Sequence, residues 1–586
     1  MDVTASPGAD ASGRSPTGRV ERVNGPVVHL SGLGPTTMFE YVEVGHGHLP
    51  GEIITIDRDR AVAQLYEYTG GLTVGQPAWA SGHALTVSLG PGLLGGIFDG
   101  LLRPLAGAGD FLERRGLDRP APTTHRVEPV VGVGTSVEGG DVIATVTGTG
   151  GPDQLVVVPP DVTGVVEQVE PPGRFGSADP IATVGATTLS LTSDWPIRAP
   201  RPHLGRRHDP QPFFTGQRIL DVLEPIAKGS SATVIGGFGE GKTVLLEQLA
   251  KWGDADVIIY LGCGERGNEL ADLIDELSHL VDPRSSRPLL ERTVILANTS
   301  NMPVMAREAS IYTAVTVAEY FRDMGLHAVI IADSTSRWAE ARRELASRTG
   351  AIPAEQGYPA DLPSSLAAFY QRAGRVVTTG GRDGTVTIVT SVSPPGGDAT
   401  EPVAAHTQRF VQAVWALDRD LAYARHYPAI AWQRSFSRDS DAVAQWHTAE
   451  GDPGWSTRRA RLQALLSESD RLQSTAELVG LTSLPTEERL ILLTAELVSD
   501  VVLQQSALSE NDAFCELGKQ RALTQAVLDI HDAALELGRR GVPASMIEGF
   551  DFGPLIRAKN ELEPDDADGV ERRTADIIEQ LRALSP

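Results

Sequence analysis

The stretch GGFGEGKT at 236–243 has the G-x-x-x-x-G-K-[ST] spacing of a loop that grips phosphate. Glycines let a backbone wrap an anion with its N–H groups, and a helix starting behind the loop adds its positive end. In that chemistry Gly236, Gly237, Phe238, Gly239, Glu240, Gly241, Lys242, Thr243 and Val244 surround the nucleotide phosphates. Lys242 would reach the β and γ phosphates, and Thr243 would offer its hydroxyl to Mg²⁺. The pattern should arise by chance in roughly one such chain in a hundred, before its strand and helix context is counted. A surface glycine turn with a solvated lysine is the plain alternative.

Asp333 closes AVIIAD, an apolar strand ending in a carboxylate. That arrangement holds a hard oxygen ligand beside phosphates, usually through a water on Mg²⁺, although an Asp after a strand is often only a turn residue. Glu265 and Arg266 in GCGERGNE follow another strand. A carboxylate there could orient an attacking water and a cation could bind leaving phosphate, whereas a helix-start ion pair is the structural alternative. Cys263 has no His near it in sequence and reads as a small strand-end filler.

The elements that must hold these groups alternate in type. ATVI precedes the glycine loop and a helical stretch follows; VIIYL, TVILA and HAVIIAD are further buried-strand candidates. Leu270, Leu273, Ile274, Leu277 and Leu280 share one helical face, and REASIYTAVTVAEYFRDMG is helix-like. Repetition of strand, helix, strand implies a parallel sheet covered on both faces, with ligands at the carboxyl ends of its strands. Short β-branched runs between Gly and Pro turns predict a small β-barrel over 18–88, and a second such region predicts a β-rich module inserted at 115–195. The P-loop nucleotide-binding domain is expected over 200–434. From 435 to 586 the period is helical, with stripes Leu490, Leu493, Leu497, Val501; Leu523, Val527, Ile530, Ala534; and Ile577, Leu581, Leu584. Gly541 and Pro543 should stop the middle helix.

The 586 residues are too many for a single core, so three or four domains are expected. A formal charge of -25 argues against nucleic acid as a partner, and two cysteines without metal spacing argue against a disulfide framework or a zinc site. No apolar run reaches the roughly 18 to 20 residues of a membrane span. Residues 1–17 lack the apolar region of a signal peptide and read as a disordered tail.

Taken together, GGFGEGKTV, QLAKWGDADVIIYLGCGERGNEL, NTSNMPVMAREASIYTAVTVAEYFRDMG and ADSTSRWAEARRE resemble the catalytic A subunit of rotary V-type and archaeal-type ATPases. GRVERVNGPVV, LGPGLLGGIFDGLLRPL, VVVPPDVTGVVEQV, WPIRAPRP, TGQRILDVLEPIAKG and SPPGGDATEPV extend the likeness in the same order, from Gly18 to the C-terminal helices. The β insert is similar to the one that separates this family from its F-type counterpart, and the intact loop separates it from the noncatalytic B subunit.

The resemblance implies ATP hydrolysis or synthesis at an A/B interface, coupled to H⁺ or Na⁺ transport. Lys242 and Thr243 would hold phosphate and Mg²⁺, Glu265 would position the water, Arg266 would contact phosphate, and Asp333 would complete the metal shell. Tyr427 in RHYPAI matches an aromatic that packs against adenine, with ordinary core packing as the alternative. The implied partners are a noncatalytic B subunit in an alternating A3B3 ring, which supplies an arginine finger, together with central-stalk and peripheral-stalk subunits. The implied place is the cytoplasmic face of a membrane, reached only through the ion-translocating sector.

Some positions depart from the family. Glu240 stands where relatives carry a small or uncharged residue, and AEQGYPADLPSSLAAFYQRAG alters the frame at Gln356, Asp361, Pro363, Ser365, Ala368 and Gln371. Leu508 replaces an aromatic expected near the adenine pocket. A homohexameric RecA-like export or translocase ATPase and a nucleotide-binding structural subunit without turnover are the competing readings.

Overall fold

The computed structural model describes residues 17–105, 124–148, 151–282 and 285–584. Most of the expected N-terminal tail and the first residues of the expected insert lie outside these. The chain forms two compact units, one from residues 1–207, 255–392 and 399–410, the other from 208–254, 393–398 and 411–586.

The first unit opens with six strands, β1 (Gly18–Asn24), β2 (Val27–Ser31), β3 (Glu40–Val44), β4 (Leu49–Asp57), β5 (Arg60–Leu65) and β6 (Pro77–Ala84). They close into a barrel in the order β1-β2-β5-β4-β3-β6. Alternation of the side chains puts Val20, Val28, Leu30, Val42, Val44 and Ile53 inside it, which leaves no β-edge unpaired. The insert is a pair of four-stranded antiparallel sheets. Val127, Ile143, Val146, Val166, Ile181 and Val184 form a core of its own.

The same unit carries a run of parallel strands, Asp383–Val392, His327–Asp333, Val257–Cys263, Thr293–Asn298 and Ile97–Phe98, in that order. Their residues are buried almost throughout, as strands covered on both faces must be. The helix Val304–Asp323 is buried on nearly every side, and its charged residues Arg307, Glu308, Glu319, Arg322 and Asp323 are buried with it. On Gly267–His279 only Leu270, Leu273 and Leu277 of the expected stripe are fully buried.

In the second unit the strand Ser231–Ile235 runs parallel to Ala413–Ala416, and Phe436–Ser437 pairs antiparallel with the latter. The helix Lys242–Trp252 follows the glycine loop. The helical tail is built from Trp455–Val479, Thr486–Val498, Leu517–Arg539, Gly553–Glu561 and Ala567–Arg582. Leu490, Leu497, Val501, Leu523, Val527, Ile530, Ala534, Ile577 and Leu581 are buried there, while Leu493 and Leu584 are half-buried. Among the described residues no helix is long and apolar enough to cross a membrane.

Candidate functional site

In the second unit, the wholly buried strand Ser231–Ile235 delivers the chain into the loop, and the helix begins at Lys242. Gly239 (φ 80°) and Gly241 (φ 92°) take left-handed conformations that a side chain would strain. A Cβ on Gly241 would also lie 3.4 Å from the Tyr427 ring, so the aromatic packs directly on the loop. Tyr427 is 42% exposed, and its hydroxyl donates to the Ala422 carbonyl at 3.3 Å. The ring is thus fixed at one end and open on part of its surface.

Lys242 donates from Nζ to the carbonyl oxygens of Gly236 (2.8 Å) and Gly237 (2.5 Å), which clamps the loop across its base. Glu240 turns back along the loop, its Oε2 accepting the Gly237 N–H at 2.6 Å. That bond gives the unusual acid a local partner. Glycine at 236 and 237 makes room for it, since a Cβ at either position would come within 2.8 Å of the carboxylate. Thr243, Val244 and Phe238 are exposed, and Leu508 is 98% exposed.

The carboxylates belong to the first unit. Asp333 ends its strand in register with Gly262 of the neighbouring strand and is buried, its Oδ1 accepting from Ser391 Oγ at 2.5 Å. Gly264 (φ 78°) turns the chain after Cys263, and a Cβ there would meet Arg337 Cβ at 2.7 Å. Only glycine fits that turn, and it delivers Glu265. Burial, then the charges of Asp333 and Glu269, push the Glu265 carboxyl up to about 7, against the pull of Arg337. Glu265 and Asp333 therefore lie close enough to sense each other's charge. Arg266 is exposed and makes a 3.5 Å pair with Glu269 three residues on, the local contact that a helix start offers. Burial pushes the Cys263 thiol up to about 12, so it is a filler without nucleophilic character at neutral pH.

Ser391 and Arg337 were not among the expected site residues. Ser391 is 58 residues from Asp333 in sequence, in a strand whose letters carry no motif, and the parallel pairing alone brings them together. Of the altered positions in 354–374, Asp361 accepts from Arg342 at 2.5 Å, and Arg342 also holds Glu308 at 3.2 Å.

This loop between strand and helix, with acids at the ends of parallel strands, defines a P-loop nucleotide-binding protein of RecA-like fold. The ATP synthase alpha/beta family matches through its nucleotide-binding domain (residues 216–437), barrel-sandwich domain (117–198) and beta-barrel domain (20–82), and the C-terminal domain of V and A type ATP synthase matches 444–541. The V-type ATP synthase alpha chain of Anaeromyxobacter sp. (strain K) is 47% identical over 97% of this chain and 99% of its own length. The A subunit of the A-type ATP synthase of Thermofilum pendens is 45% identical over 90% and 89%. The assembled ATPase EscN of the enteropathogenic E. coli type III secretion system shares the fold, with a TM-score of 0.64 and 21% identity, over 87% of this chain and 100% of its own. The chain belongs to the V/A-type ATP synthase catalytic subunit family, represented by these two relatives from Anaeromyxobacter and Thermofilum.

Proposed function

We infer that this chain is the ATP-hydrolysing or ATP-synthesising subunit of a rotary V/A-type ATPase, coupled to ion transport across a membrane. The observation that carries the reading is the clamped phosphate loop at 236–243 in a chain that matches its relatives over nearly its whole length. Labour would be divided among the barrel (18–88), the insert (115–195), the nucleotide-binding domain (200–434) and the helical domain (435–586).

In this reading Lys242 exchanges the loop carbonyls for β and γ phosphate oxygens, and the loop N–H groups from Gly236 to Val244 surround the phosphates. Glu265, with its carboxyl near 7, orients the attacking water and takes its proton close to neutral pH. Arg266 leaves its exposed pair with Glu269 for phosphate, and Tyr427 lays its open face on adenine. Thr243 and Asp333 are hard oxygen donors of the kind Mg²⁺ takes alongside water and substrate phosphates. Among the described residues no group of three or more His, Cys, Asp or Glu side chains is placed to hold a metal ion. Mg²⁺ supplies charge neutralisation on the transferring phosphoryl group.

The proposed partner is a noncatalytic B subunit, which alternates with this chain in an A3B3 ring and donates an arginine finger, with stalk subunits carrying the rotation. Such a finger is worth about 10³ to 10⁵ in rate, so the chain alone should turn over slowly. Co-expression with a B-type subunit, followed by measurement of Mg-ATP turnover, tests the reading, with Glu265→Gln as control. Turnover that rises with the partner and collapses in the variant supports it. Equal inactivity of both assembled complexes would favour a structural subunit, and full activity of a homohexamer would favour a translocase.

A further inference from the structure

Away from the nucleotide loop, the first unit holds a buried charge imbalance. Three guanidiniums, Arg201, Arg322 and Arg372, share two carboxylates, Glu319 and Asp323, and none of the five residues is more than 7% exposed. Arg372 grips Glu319 through Nε (3.0 Å) and Nη2 (2.6 Å). Arg322 holds Asp323 Oδ1 through Nε and Nη2, and Arg201 reaches Asp323 Oδ2 through Nε at 2.6 Å. A fourth cation, Arg382, donates to the main-chain carbonyls of Asp323 and Gly140 and faces the charges of Asp323 and Asp141. Even with Asp141 counted against Arg382, one positive charge is in surplus.

The surplus has an address. Arg201 Nη1 has no hydrogen-bond partner, and neither has Nε of Arg382, the fourth cation of the cluster. Arg201 also lines a cavity of about 420 Å³, within the roughly 300–1,000 Å³ range of small-molecule sites. The insert supplies most of the walls, Leu155, Val157 and Leu191 among them, and Tyr320 contributes from the buried helix. Trp195 lines the same cavity with its ring 4.7 Å from the Arg201 guanidinium carbon. Two exposed acids, Asp161 and Asp194, also lie in the lining and oppose any polyanion.

We propose that this cavity binds a small organic monocarboxylate, with its carboxylate on Arg201 and its apolar body against Trp195 and Leu191. One surplus charge matches one carboxylate. The apolar walls reward a carbon skeleton, and the acids in the lining select against phosphate-bearing ligands.

The test is ¹⁹F NMR titration of the full chain with 4-fluorobenzoate, carried out with Mg-ADP saturating the nucleotide loop so that Lys242 is not the receptor. Saturable binding is expected. The variant Thr188→Trp, which fills the cavity from an exposed lining position, should weaken it by about tenfold or more while leaving ADP affinity unchanged. Absence of saturable binding, or equal affinity in wild type and Thr188→Trp, overturns the site. Displacement of the probe by an equal concentration of sulfate overturns the monocarboxylate assignment.

Discussion

The two units hold their charged groups in opposite ways. The loop unit braces itself: Lys242 holds the carbonyls of Gly236 and Gly237, and Glu240 holds the Gly237 N–H. The carboxylate unit brings like charges together: Glu265 senses Asp333 and Glu269, and Arg337, the cation that opposes them, is bonded to Glu340. The loop is thus shaped in advance by its own bonds, whereas the acids carry an electrostatic load that a cation would relieve. Changes on the two sides should therefore fail differently.

The two largest effects on turnover are expected from Lys242→Ala and Glu265→Gln, and Lys242→Ala should also reach binding. Loss of a preorganised cation at the phosphates should lower turnover of the assembled complex by about 10²–10³-fold or more and also weaken nucleotide binding, read by steady-state kinetics and ADP titration. Glu265→Gln should lower turnover by about 10²–10⁴-fold while keeping nucleotide affinity, because it removes a base and leaves the loop alone. If both variants lost affinity equally, the contrast between the units would break.

A smaller effect concerns the loop unit's helical tail. His447 stacks on Trp455 at 4.8 Å, and burial lowers its pKa to about 4, with Asp452 raising it and Arg458 lowering it. A histidine depressed in the folded state takes up its proton more readily when unfolded. Stability should therefore fall by about 1–3 kcal/mol as pH drops from about 6.5 towards 4. Thermal melts across that range should show a shallower loss for His447→Phe. The smallest effect belongs to Glu240→Ala, which removes one loop hydrogen bond worth about 0.5–1.5 kcal/mol and should shift KM for ATP several-fold. Glu240→Gln keeps an acceptor and should shift it less.

Motif letters made the loop, its flanking strand and helix, and Asp333 legible, because their chemistry demands fixed spacing along the chain. The closed barrel, the insert and the helical tail followed from alternation, turns and stripes. What sequence could not supply was direction and distant pairing. Glu240 read as an acid in a phosphate loop, and only the fold shows it turned back to Gly237. Ser391 meets Asp333, and Arg337 meets Gly264, because the chain brings distant segments together, an effect that no local pattern records. Arg201 was visible as part of WPIRAPRP, but its unpaired nitrogen depends on how five buried side chains share their bonds.

The chemistry proposed for this chain requires the ammonium of Lys242 and the carboxylates of Glu265 and Asp333 to serve one triphosphate. A structure of the assembled complex with Mg²⁺ and a non-hydrolysable ATP analogue decides the matter. Lys242 Nζ should lie about 3 Å from a β or γ phosphate oxygen, with Asp333 on the metal's water shell and Glu265 on the water facing the γ phosphorus. An analogue bound with Glu265 and Asp333 in a separate pocket, out of reach of its phosphates, would contradict the proposal.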